Sequence, residues 1–168
     1  HNIDLSEITV AATKNAYPVL EYPKFYGKLQ GNEHYYEHEP VIAIERNGVA
    51  KAYPLNILTM HELANDTIGG IPVMVTYCPM CNASMVFDRR ISNKGKEYLL
   101  EFEVSGLLRH NDMIMFDKQT QTWWQQLMGE AVVGELTGTE LKMLPALIIS
   151  VREFFERYPD GTILDHHT

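Results

Sequence analysis

Ile71-Pro72-Val73-Met74-Val75-Thr76-Tyr77-Cys78-Pro79-Met80-Cys81 is the stretch whose reading decides the fold. From Ile71 to Tyr77 the chain is apolar and rich in β-branched residues, which reads as a buried strand. Gly69-Gly70 resets the chain just before it. The strand runs straight into a turn that carries both cysteines of the chain at positions i and i+3. Beyond the turn, Ser84 to Arg89 reads as a second strand. The cysteines are therefore expected between two strands, not at the start of a helix.

The same pattern extends outward. Upstream, Val41-Ile42-Ala43-Ile44 is a buried strand and Asn47-Gly48 a hairpin turn, because both residues accept positive φ. Val49 to Tyr53 returns. Pro54 then opens a short helix, where its missing N–H costs nothing. Leu55, Leu58, Met60, His61, Leu63 and Ala64 are expected in that helix or at its end. Downstream, Asn93-Lys94-Gly95 is a turn, and Tyr98, Leu100, Phe102 and Val104 alternate along a returning strand. Met113 to Phe116 and Thr122-Trp123-Trp124-Gln125 read as strands around a turn at Lys118 to Gln121. Val132-Val133 and Leu141 to Leu144 read as further short strands. Ser150 caps an expected helix over Val151 to Tyr158, which stops before Pro159-Asp160-Gly161.

Strands at hairpin spacing with few helices predict an α+β fold, predominantly antiparallel β and barrel- or sandwich-like, with two or three short helices. Residues 1–40 are expected to be an irregular arm packed on the body through Tyr22, Phe25 and Tyr26. Residues 41–168 are expected to form a single β-rich domain.

Composition narrows the function. The 168 residues include 14 Lys and Arg against 22 Asp and Glu, a formal net charge of −8. That balance, without a basic stripe, argues against a nucleic-acid partner. No phosphate-binding glycine loop or dinucleotide fingerprint is present, so no nucleotide cofactor is expected. No run approaches the roughly 18 apolar residues that suggest a membrane-spanning helix, so no transmembrane segment is expected. The sequence begins at His1 and shows no signal peptide, which leaves the compartment to be inferred indirectly.

Two thiols at i and i+3 can do two things. They can grip a soft metal ion, copper or zinc, as thiolates. Or they can cycle between dithiol and disulfide, since a bridge across so small a loop stabilises little. The plain alternative is a pair of small buried apolar groups. A metal site needs more ligands than Cys78 and Cys81, and His61 is the preferred third. Met80 and Asp66 are further candidates nearby, and His110 a lesser one. Ser105, in the polar interruption Ser105-Gly106, is a pocket candidate, although no nucleophile elbow supports a serine triad. Trp124 and Gln126 are candidates for a pocket wall, and the Trp123-Trp124 pair for a binding surface.

At this point the residues show a resemblance. Ala52-Tyr53-Pro54-Leu55, His61-Glu62, Asn65 to Val73, Thr76-Tyr77-Cys78-Pro79-Met80-Cys81 and Phe87-Asp88-Arg89 resemble the domain-of-unknown-function 3179 family. So do Ser105-Gly106-Leu107-Leu108, Asp117, Trp123-Trp124-Gln125-Gln126 and Gly129-Glu130-Ala131. The match runs from about Val41 to Tyr158. Asn82 departs from the glycine common after the second cysteine, and His110 stands where members vary. The resemblance implies an extracytoplasmic, periplasmic or secreted place and brings no settled activity. Three readings stand at this stage. The first is a metal-binding domain using Cys78, Cys81 and His61. The second is a thiol-disulfide oxidoreductase whose partner is a small molecule or a redox protein. The third is a non-enzymatic binding module.

Overall fold

The computed structural model describes residues 3–11, 18–78 and 83–165. In chain order its strands and α-helices are β1 (Ile8–Val10), β2 (Leu20–Glu21), β3 (Phe25–Tyr26), α1 (Lys28–His34), β4 (Pro40–Arg46), β5 (Val49–Pro54), α2 (Leu55–His61), β6 (Leu63–Ile68), β7 (Ile71–Cys78), β8 (Ala83–Asp88), β9 (Arg90–Asn93), β10 (Lys96–Leu99), β11 (Phe102–Arg109), β12 (Asp112–Asp117), β13 (Trp123–Gln125), β14 (Glu130–Val133), β15 (Leu147–Ser150), α3 (Val151–Arg157) and β16 (Thr162–Leu164).

Three of the sheets stack in layers, and β9 and β10 form a separate two-stranded sheet. The middle sheet runs β2-β6-β7-β8, with β6, β7 and β8 antiparallel in sequence order. One outer sheet runs β1-β11-β12-β13-β14 and the other β15-β4-β5-β16-β3. Alternation along β7 explains why its run is apolar on both faces. Met74 and Cys78 pack with Phe102, Met115 and Trp124 of the first outer sheet. Val73 and Val75 pack with Ile42, Ile44 and Tyr53 of the second. A strand between two sheets has no solvent face, so its side chains have no reason to alternate in polarity. A third apolar layer lies between the second outer sheet and the aromatic face of α3, Phe154 and Phe155. The architecture is α+β, mostly antiparallel and sandwich-like, without a closed barrel.

Residues 18–40 are more regular than the sequence implied. Leu20-Glu21 pairs parallel to β6, Phe25-Tyr26 pairs with β16, and Lys28–His34 is helical. Strand edges this short carry no periodic signal; they exist because a neighbour's free edge completes them. The second departure is β6. Leu63 and Ala64 belong to a strand, not to the preceding helix. Leu141 to Leu144 forms only a bridge through Met143 to Phe87, and Glu97 to Val104 divides into β10 and β11, which belong to different sheets.

The turns follow their residues. Asn47 and Gly48 both have positive φ, and Asn47 Nδ2 donates to Gly69 O at 2.7 Å, tying two turns together. Gly69 has φ of 55°, and a Cβ there would lie 2.2 Å from Arg46 O. Gly69→Ala is therefore expected to cost at least about 2 kcal/mol, from the left-handed backbone plus a clash with main chain that cannot step aside. Gly70→Ala, with open space around it, is expected to cost about 1 kcal/mol. Urea midpoints of the two variants check the contrast.

Candidate functional site

Many residues that carry the family resemblance have structural work. Asn65 imitates a strand partner: its Oδ1 accepts from Phe102 N at 3.0 Å and its Nδ2 donates to Phe102 O at 2.9 Å. Asp66 takes a 2.5 Å hydrogen bond from Tyr53 and lies 3.2 Å from Lys51 Nζ. It pairs with Val73, five residues along β7 from Cys78. At about 3.3 Å per residue the two are roughly 17 Å apart along the strand, so Asp66 is not brought to the cysteines. Trp124 is fully buried, and its Nε1 donates to Asp117 at 2.8 Å. It is core, not pocket wall. Ser105 sits at a β-bulge where Val104 and Leu107 change register; its hydroxyl donates to Ile114 O and accepts from Leu107 N. His110 occupies a hairpin turn and contacts Glu7. A bulge, a turn and an indole clamp are jobs that spacing alone does not reveal.

Once those residues are set aside, what remains gathers at one end of β7. Cys78 is buried and pairs with Ala83, so β7 and β8 leave the cysteine turn side by side. Cys78 is disulfide-bonded, not a free thiol. Met80 and Cys81 lie outside the described residues. Gln126, completely buried, supports the base of this corner: its Nε2 donates to Thr76 Oγ1 and to Ala83 O, both at 2.9 Å. Gln126 reaches it because the chain turns out of β13 with its amide nitrogen bonded to Met113 O. Of the three pocket candidates downstream, Gln126 hydrogen-bonds at the cysteine end, while Trp124 shares a core layer with Cys78.

His61 arrives from the other side. Helix α2 ends at His61, and Tyr77 N donates to Glu62 O at 2.7 Å. His61 and Cys78 are thus each one residue from a directly bonded pair. His61 Nδ1 lies 2.7 Å from Pro18 O. A carbonyl can only accept, so Nδ1 carries the proton and Nε2 of the neutral ring keeps its lone pair. Among the described residues no three His, Cys, Asp or Glu side chains converge as a metal-ion group, a set from which Cys81 is missing.

The sequence of the chain matches the family described as "Protein of unknown function (DUF3179)" over residues 14–168. The chain belongs to the DUF3179 family. The match begins well before Val41, in keeping with the edge strands that residues 18–40 contribute to this DUF3179 domain. No curated protein and no solved structure matches the chain.

One residue at this corner escaped sequence reading as more than a companion to His61. Glu62 is 7% exposed and caps α2 with φ of 64°, a left-handed conformation that ordinarily favours glycine. Burial alone pushes its carboxyl up to about 7. The only signal in the sequence was its place beside His61; nothing there shows that it is buried.

Proposed function

We propose that this domain is a thiol–disulfide oxidoreductase working through Cys78 and Cys81. The observation that carries the reading is the bonded state of Cys78 at the end of a buried strand. A sulfur held in a disulfide is not a thiolate ligand. This favours redox chemistry over the copper or zinc reading, in which Cys78, Cys81 and His61 would coordinate. The chain has one other cysteine, and a bridge over an i, i+3 turn constrains few residues, so such a bond serves exchange better than stability.

The reaction is written as an exchange. A partner thiolate attacks the Cys81 sulfur, forming a mixed disulfide and releasing Cys78 as a thiolate that takes up a proton. The partner's second thiol resolves the mixed disulfide, and Cys81 leaves with a second proton. Two electrons and two protons enter the chain, and the partner departs as a disulfide. The reverse sequence reduces a partner's disulfide. Burial of Cys78 assigns the encounter to Cys81. Gln126 and Thr76 hold the two strands while the sulfurs part. The extracytoplasmic placement implied by the family resemblance would supply an oxidising setting for the bridge.

The test is turnover of a dithiol–disulfide couple by the native chain and by Cys78→Ser. The expected result is saturable, protein-dependent exchange that Cys78→Ser lowers at least about a thousandfold, with a melting temperature close to native. Stoichiometric bound copper or zinc, lost in Cys78→Ser, would instead return the site to the metal reading with His61 as third ligand.

A further inference from the structure

We propose that the domain pairs with a second copy of itself through the free edge of β15, the two strands running antiparallel so that the sheet continues from one chain into the other. The inference goes beyond the redox reading and does not depend on the state of the cysteines. β15 is the end strand of its sheet, beyond β4. Other sheet ends are covered. The outer edge of β8 is taken by residues 142–144, through Asp88 N to Lys142 O and Leu144 N to Val86 O. That of β14 meets Thr139, through Ala131 N to Thr139 O. Among the described residues, the main chain of Leu147, Ile148 and Ile149 bonds to β4 and to nothing on its other side.

The register shows which groups that edge offers. Ser150 lies opposite Pro40, so Val151 lies opposite Glu39, and Val151 N donates to Glu39 O at 2.9 Å. Hydrogen-bonded positions alternate along an antiparallel ladder. Ile149 and Leu147 therefore turn their N–H and C=O toward β4, and Ile148 turns its own outward. A second β15 laid on that edge with its direction reversed sets Ile148 against Ile148 of the other copy. The two residues exchange a pair of hydrogen bonds on the two-fold axis. Leu147 then lies opposite Ile149 of the other copy, on the same surface of the sheet. Each pair joins side chains that face the same way, so one register satisfies both copies.

Composition and charge favour a copy of this chain as the occupant. From Met143 to Val151 no residue is charged, and Met143, Leu147 and Ile148 are 50%, 45% and 57% exposed. Native sheets ordinarily guard a free edge with a charge, and this edge carries aliphatic side chains instead. The chain's net charge of −8 makes two copies repel over most of their surfaces, so an uncharged seam is where they can meet. The ends of the seam differ in sign. The end at α3 is acidic on balance, with Glu37, Glu39, Glu153 and Glu156 against Arg152 and Arg157. At the other end stands exposed Lys142, beside Asp88, which Arg90 already holds. Antiparallel pairing sets each Lys142 toward the acidic end of the other copy, whereas parallel pairing would set like ends together. Pro145 on one side and α3 on the other limit the ladder, and the two-fold arrangement uses both edges, so assembly closes at two chains.

The experiment is sedimentation equilibrium of the native chain over roughly micromolar to millimolar concentrations, with dithiothreitol present to exclude disulfides between chains. The mass is expected to rise from one chain toward two. Ile148→Lys sets two ammonium groups face to face on the axis and is expected to weaken association at least about tenfold. Its urea midpoint in dilute solution is expected to stay near native, because the side chain is already exposed, and so separates lost pairing from lost folding. Lys142→Glu is expected to weaken association about threefold, and to do so less at high salt. A single-chain mass throughout overturns the proposal and leaves the edge to an extended segment of a different protein. Association that both variants leave unchanged places the contact elsewhere and also overturns it, as does growth beyond two chains.

Discussion

Arg89→Met is expected to destabilise the domain by about 3–6 kcal/mol, a large part of the roughly 5–15 kcal/mol that holds a typical domain together. Arg89 is 1% exposed. Its guanidinium donates to Val73 O and Leu100 O at 2.8 Å, to Asp66 O at 2.9 Å and to the Tyr22 hydroxyl at 3.1 Å. One side chain thus pins β6, β7, the segment before β11 and the N-terminal strands around the middle sheet. Methionine keeps the apolar stem but leaves three buried carbonyls without a donor, and each orphan costs about 1–3 kcal/mol. Arg89→Lys is expected to fall between, since one ammonium cannot reach the four acceptors that a planar fork spans. Urea unfolding measures all three. A loss below about 1 kcal/mol for Arg89→Met would contradict the role.

Trp124→Ala is expected to cost about 3–5 kcal/mol, the usual range for removing a fully buried large aromatic. The ring packs edge-on to Phe102 with centroids 5.8 Å apart, in the layer that also holds Cys78. Its Nε1 donor is one of several groups gathered by Asp117, which also accepts from Thr120 N and closes the turn before β13. Trp124→Phe separates the two contributions. It keeps most of the ring and is expected to cost about 1–2 kcal/mol through the lost hydrogen bond. Thermal midpoints of the two variants check the contrast.

What the sequence disclosed follows from how each signal is made. Strands β4, β5 and β7 are legible because Val41 to Ile44, the Asn47-Gly48 turn and Val73 to Val75 each satisfy a local rule. Strand β6 is not, because Asn65 and Asp66 interrupt its apolar run. Both are buried for tertiary reasons: one replaces a strand partner for Phe102, the other receives Tyr53 and Lys51. The candidate site divides the same way. Cys78 and His61 stand out by chemistry, and the strand register brings their neighbours Tyr77 and Glu62 together. Gln126 belongs beneath the turn, as its amide shows. Asp66, Ser105 and Trp124 carry suggestive side chains whose polar atoms are used within the scaffold. Glu62 shows the limit from the other side, since its burial is not something a residue type records.

A working redox pair interconverts between two thiols and a bridge, and the chain's two cysteines are proposed to do so. The most direct measurement is a thiol count on protein purified without reductant, before and after equilibration with dithiothreitol buffers of graded potential, with bound metal measured on the same sample. The expected result is no free thiol at the start, two after mild reduction in a single two-electron step, and recovery of the bridge on reoxidation. Two thiols that stay reduced under oxidising buffer, or that are held by one copper or zinc ion per chain, would contradict it.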